Sequence, residues 1–240
     1  MLKRKYIGLA ACVVGLTMLA HENSRTFAQA QAPAQAPGGA QAPPARGGGR
    51  ASAPVLDPTK PHRLDITEGT KARYKVQEQL AGINFPSEAV GTTESITGTI
   101  IVNPDATIAP QSKLTIDLRT LKSDQSMRDG FIQGRTLETE KFPMLEFVPK
   151  RAVGLPAPLP SGGQAQAGFQ LIGDMTLHGV TKEATWIVVA TFANDGVSGR
   201  ATTTVDFATF DMPKPKLARL LSVDDKIHLE VEFRCKRTVM

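Results

Sequence analysis

Lys226 to Lys236 reads KIHLEVEFRCK. Ile227, Leu229, Val231, Phe233 and Cys235 alternate without error with Lys226, His228, Glu230, Glu232, Arg234 and Lys236. A period of two sustained over eleven residues specifies a strand with one face in the core and one in water, as antiparallel sheets have. Moving upstream, the same kind of face recurs at Tyr74 and Val76, at Ile96, Ile100 and Val102, at Leu114, Ile116 and Leu118, and at Leu145 and Phe147. Beyond Pro160 it returns at Phe169, Leu171, Met175 and Leu177, at Trp186 and Val188, and at Val205 and Phe207. With the final strand this makes eight. Long, alternating, sequentially connected strands point to an all-β, up-and-down antiparallel barrel, with a sandwich as the alternative. An eight-stranded barrel has an interior wide enough for its own side chains or for one small ligand.

One segment interrupts the pattern. Between strands at 112–119 and 144–151 lies SDQSMRDGFIQGRTLETEKFP. Ser123 or Asp124 can cap a helix, Met127 and Phe131 stack at i, i+4, and Gly134 is a stop; a second short turn ends at Phe142-Pro143. A short helical insertion of this kind plugs or lids one end of a barrel.

The N-terminus carries no fold. Lys3-Arg4-Lys5 precedes an apolar run from Ile7 to Ala20, and small residues at Ala28 and Ala30 supply a cleavage site, so residues 1–30 read as a signal peptide. Fourteen apolar residues fall short of the roughly 20 that a spanning helix needs. Leu9-Ala10-Ala11-Cys12 has the spelling of a lipoprotein signal, but the apolar core continues past the cysteine. The expected location is therefore periplasmic or secreted, without a lipid anchor. Residues 31–61 hold seven of the 17 prolines and no aromatic residue, which makes them a disordered spacer. The barrel is assigned to 62–240.

Charge excludes one class. Of the net +5, Lys3, Arg4, Lys5 and Arg25 against Glu22 belong to the leader; what remains is 24 basic against 22 acidic residues. A net +2 with 5% aromatics and no basic–aromatic interleaving does not describe a nucleic-acid binder. Cys12 departs with the leader, so Cys235 is alone and no internal disulfide can form.

Three spaced segments carry a resemblance. They are Met127-Arg128-Asp129 with Lys141-Phe142-Pro143-Met144-Leu145-Glu146-Phe147; GDMTLHGVTK at 173–182; and Gly91 with Ile96-Thr97-Gly98-Thr99-Ile100. Together they resemble the YceI-like family of exported bacterial lipid-binding proteins over about 62–237. The resemblance implies an extended, lipocalin-like eight-stranded barrel with a long apolar channel and a short helical insertion. It implies as partner a long-chain isoprenoid (of quinone or isoprenyl diphosphate type) or another lipid, and no catalytic activity or cofactor. It leaves room for a homodimer and for work near a membrane surface. The chain departs from the family where Thr93 replaces a phenylalanine, and where Phe207, Thr209 and Asp211 stand at positions of an arginine, an aspartate and a glycine. The last exchange suggests a changed turn, because glycine tolerates positive φ best.

Candidate chemistry is sparse. His62, at the spacer's edge, reads as solvated, and His228 lies on a polar strand face. His178 precedes Gly179 in a turn; its ring either bonds a turn backbone or meets a ligand head group at the barrel mouth. Arg128 and Asp129 read as anchors of the helix to the rim, and Cys235 as core. Neither a metal cluster nor a catalytic constellation can be assembled, and no phosphate-binding or nucleophile-elbow motif occurs. The expected channel lining is Tyr74, Ile100, Ile116, Met127, Phe131, Phe147, Phe169, Leu171, Trp186 and Phe207, with His178 toward the head group. The leading function is a carrier that sequesters a polyisoprenoid or similar amphiphile. The alternatives are a stress-response or interaction module with a side-chain-filled barrel, and an enzyme using His178 as base.

Overall fold

In a computed structural model of the chain, residues 56–161, 163–216 and 219–240 are described. The signal-peptide reading and most of the spacer fall outside them. Leu56, six residues before the expected start of the barrel, is already buried.

Eleven antiparallel strands occur among the described residues: β1 (His62–Ile66), β2 (Lys71–Leu80), β3 (Ser87–Thr93), β4 (Ile96–Val102), β5 (Lys113–Asp117), β6 (Met144–Val153), β7 (Ala165–Leu177), β8 (Val180–Phe192), β9 (Gly196–Asp206), β10 (Leu220–Val223) and β11 (Lys226–Val239). Six of them combine into three staves. β1 and β2 run end to end along β11, with Ile66 opposite Cys235 and Lys71 opposite Glu232. Across the gap, the Thr67 and Thr70 hydroxyls both donate to the Arg234 carbonyl, at 3.0 and 3.1 Å, which keeps the stave continuous. β4 and β3 flank the same stave on its other side, and β10 prolongs β11 along β2. Counted by staves, the ring has eight members in sequence order, closed by the β1–β11 pairing. The barrel reading holds; an open sandwich would lack that closing pair.

Alternation fixes what faces inward. In β8 every second residue from Ala184 to Phe192 is buried, while Ile187 and Val189 are half exposed on the outer face. One irregularity bends the wall: the β6–β7 register shifts between Pro149 and Arg151. Gly173 lies opposite, where a Cβ would fall 2.2 Å from the Val148 carbonyl oxygen. Only glycine allows the two backbones to approach so closely.

The helical insertion is present but oriented differently from the expectation. Helix α1 (Ser126–Phe131) runs straight into a π-turn over Ile132–Thr136, so Gly134 does not stop it. The turn is closed by Leu137 N donating to the Ile132 carbonyl at 2.8 Å. Neither Ser123 nor Asp124 caps it, since the N-cap position is Gln125, without a side-chain bond. Ser123 is instead drawn to Asp129, whose carboxylate accepts from both its N–H and its hydroxyl. Arg128 reaches Glu78 on β2 at 2.7 Å, both side chains being nearly buried, and also pairs with Asp124. Arg128 thus anchors the helix to the rim, whereas Asp129 ties it to the turn that precedes it.

Candidate functional site

The barrel interior contains two apolar cavities in tandem. The first, about 110 Å³, is enclosed by 23 residues, all of them hydrophobic. Ile100, Ile116, Phe147, Phe169, Leu171 and Trp186 are among them. Phe147 and Trp186 meet edge to face, centroids 6.1 Å apart, a geometry that fixes both rings. The wall contains two polarisable exceptions. Burial pushes the Cys235 thiol up to about 12, so it stays neutral and acts as a small apolar group. The indole N–H of Trp186 is buried without a hydrogen-bond partner among the described residues.

The second cavity, about 80 Å³, lies toward the helical insertion. Tyr74 and Phe207 line it, together with Leu177, Ile227, Ile132 and Leu137. The sequence predicted one channel holding Tyr74 and Phe207 with the others; the structure divides it, and Leu145 is the residue common to both walls. The Tyr74 hydroxyl is raised to about 12, chiefly by burial.

Three expected contacts lie elsewhere. Met127 is 81% exposed on the outer side of α1. Phe131 is only half-buried and packs under the Arg135 guanidinium, 5.7 Å from its ring centroid. The i, i+4 stack identified a helix face correctly but assigned it to the wrong side. Because the chain continues into a π-turn, Ile132, Thr136 and Leu137 turn inward instead. His178 lines neither cavity. It stands beyond the end of β7 at φ +51, with Nδ1 3.2 Å from the Phe210 carbonyl and Nε2 3.1 Å from a Glu138 carboxylate oxygen. One ring nitrogen of His178 thus bonds a turn backbone, as one of its two readings expects, and the other reaches a carboxylate. Lys141 first, and His178 second, hold the Glu138 carboxyl below its usual range. Nearby, Asp211 sits at φ +51, so the expected glycine's left-handed conformation is kept and carried by an aspartate, a residue that tolerates it.

The opposite end of the barrel differs from the sequence expectation. His62 is 1% exposed, not solvated, and its Nδ1 accepts from Arg237 Nε at 3.2 Å. Arg237 is itself 3% exposed and donates to the carbonyls of Pro160 (2.6 Å) and Ala193 (3.3 Å). The Pro- and Gly-rich loop after β6 lays Leu159 into the first cavity's wall at that end. A signal for Arg237 did exist. The inward phase of β11 runs Val231, Phe233, Cys235, and its next member is 237.

A family model for the YceI-like domain matches residues 66–235. No curated protein matches in sequence. Among solved structures, BcnA of Burkholderia cenocepacia superposes with a TM-score of 0.53 at 17% identity, over 69% of this chain and 95% of that one. A polyisoprenoid binding domain from Saccharophagus degradans, implicated in plant cell wall breakdown, gives 0.54 at 12% identity, over 74% and 98%. A YceI protein of Campylobacter jejuni gives 0.50 at 14%, over 66% and 90%. At these identities the likeness is one of fold.

Proposed function

The chain belongs to the YceI-like family, and from that premise we propose that it is an exported binding protein that holds a long-chain polyisoprenoid, or a similar amphiphilic lipid, along its barrel axis. The observation that carries this reading is the first cavity, an apolar space lined by 23 hydrophobic residues. The similar fold of a domain named for polyisoprenoid binding adds support. So does the leader-like N-terminus, which favours the periplasm or the medium as the place of work.

The energetics are sufficient. At about 0.8 kcal/mol per buried methylene, ten buried carbons contribute on the order of 8 kcal/mol before ordering costs, which is micromolar-class affinity. A binding role needs nothing more than apolar contact.

The size of the space favours a second reading. A cavity of about 110 Å³ is comparable with one that takes a benzene-sized guest, so a long chain enters only if Leu145 and its neighbours move to join the two cavities. A barrel that stays closed would be an interaction module. Native mass spectrometry of the protein exported by a bacterial host, with solvent extraction, separates the two. A co-purifying isoprenoid-sized adduct, lost in a folded Phe169→Asp or Ile116→Asp variant, supports the carrier. A bare mass with no later uptake of a quinone or a fluorescent fatty probe sinks it.

A further inference from the structure

The wall of the first cavity lacks any charged group, yet the residues just past its end include a buried cation. Arg237 lies opposite Leu64 in the β1–β11 pairing, and His62 lies opposite Val102 in the β1–β4 pairing. Directly paired residues on neighbouring strands share a face. Leu64 and Val102 both line the cavity, so Arg237 and His62 point into the barrel as the next layer of its interior. The Arg237 guanidinium stands 5.9 Å from the ring centroid of Phe192, another cavity residue, and its Nη1 holds the carbonyl of Pro160, next to Leu159.

This layer has more donors than acceptors. Arg237 takes part in no ion pair among the described residues, and its Nη2 is buried without a partner. Because His62 Nδ1 accepts from Arg237 Nε, a neutral His62 carries its proton on Nε2, and that atom is also buried without a partner. The Asp57 backbone carbonyl faces the His62 ring but falls outside hydrogen-bond geometry, and the Asp57 carboxylate is exposed and accepts from Thr59 N and Oγ1. A buried, uncompensated guanidinium is costly, and unmet donors in a dry site add to that cost.

Resting on the carrier reading, we infer that Arg237 Nη2 and His62 Nε2 form the head-group site of the channel and select an amphiphile with an anionic oxyacid head, a phosphate or a carboxylate. The tail runs from there past Phe192 and Phe147 toward Trp186. Leu159 and Pro160 cover the head, and the Arg237–Pro160 bond couples the cover to the cation. The polar end is thus the His62 end, away from His178 and Arg128, whose hydrogen-bonding groups are engaged with Phe210, Glu138, Glu78 and Asp124. A guanidinium fork suits oxyanions, and the neutral imidazole adds one donor without adding charge.

The test compares single-chain probes of equal tail length: hexadecyl phosphate, hexadecanoate, hexadecanol and hexadecyltrimethylammonium, each displacing a fluorescent apolar probe from the purified protein. The expected order is both anions at least tenfold tighter than the alcohol, with the ammonium weakest. The two anionic arms distinguish a phosphate from a carboxylate source. Arg237→Met should remove the anion preference and leave alcohol binding within about twofold. Where that variant fails to fold, the wild type still decides. Hexadecyl phosphate should shift the ¹⁵N resonance of His62 Nε2, and hexadecanol should not. Equal affinity for anion and alcohol, a preference that survives Arg237→Met, or an unmoved His62 resonance overturns the head-group site and leaves Arg237 as a clamp on the loop. Failure of all four probes to bind the wild type would instead overturn the carrier reading beneath it.

Discussion

Among the described residues Arg237 is buried and Arg128 nearly so, one near each end of the barrel, and they are dealt with in opposite ways. Arg128, beside the second cavity, is neutralised by Glu78 at 2.7 Å and by Asp124, and it ties α1 to β2. Arg237, beyond the first cavity, has only two carbonyls, an imidazole nitrogen and an aromatic ring. Burial alone lowers its pKa, with no neighbouring carboxylate to offset it. A charge whose partners come from the fold is structural. A charge whose partners are incomplete is available to something from outside. The histidine at each end follows the same division: both ring nitrogens of His178 are engaged, whereas His62 leaves one unmet.

The largest break in the comparison should come from the satisfied end. Glu78→Ala leaves Arg128 buried beside an exposed Asp124 and should cost about 3–5 kcal/mol in urea unfolding. A loss below about 1 kcal/mol would mean that Arg128 simply turns to water, and the contrast between the two ends would fail. Next in size is Leu159→Ala. Leu159 is 2% exposed in the cavity wall, so truncation should cost about 2–3 kcal/mol. It should also speed uptake of an apolar probe, because it thins the cover over the His62 end. Faster uptake from Leu137→Ala instead, with Leu159→Ala unchanged, would place the entrance at the helical end.

Arg237→Met should be milder than either. Removing an unpaired buried charge is favourable, whereas the Pro160 and Ala193 carbonyls lose their donors, so the net change should stay within about 1 kcal/mol. A cost comparable with that of Glu78→Ala would show that Arg237 is as structural as Arg128. Measuring both variants under one set of conditions makes the difference between the ends a single number.

How much of this could be read from the sequence depends on which rule each residue obeys. The strand faces were legible because alternation reports the pleat directly: Ile100, Ile116, Phe147, Phe169, Leu171 and Trp186 all line the first cavity. The division into two cavities was not, since it depends on how Leu145 fills the barrel cross-section, a matter of packing rather than pattern. Met127 and Phe131 misled because i, i+4 spacing defines a helix face without saying what it meets. Arg237 and His62 were overlooked for another reason. Each continues the inward phase of its strand, after Cys235 and before Leu64, but a charged or polar residue in that phase reads as the end of a strand rather than as a feature of its interior.

The finest test of the contrast is pH. Burial, and then the Arg237 charge, hold the His62 pKa below its ordinary 6.5. Between that lowered value and 6.5 the unfolded chain binds a proton that the folded chain refuses, so stability must fall as pH falls through this window and be level above it. The groups facing His62 are Arg237 and Asp57, and neither changes charge there: Asp57 is itself held below the carboxylate range, mainly by Thr59. One group can contribute a slope no steeper than about 1.4 kcal/mol per pH unit. His62→Gln keeps an acceptor for Arg237 Nε but cannot titrate, so the difference in unfolding free energy between wild type and variant should be constant above pH 7 and change in the variant's favour below 6.5. A difference that stays constant across the window would mean that His62 takes up its proton beside Arg237 without penalty. The His62 end would then be no drier, and no more in need of an external anion, than the end that holds His178.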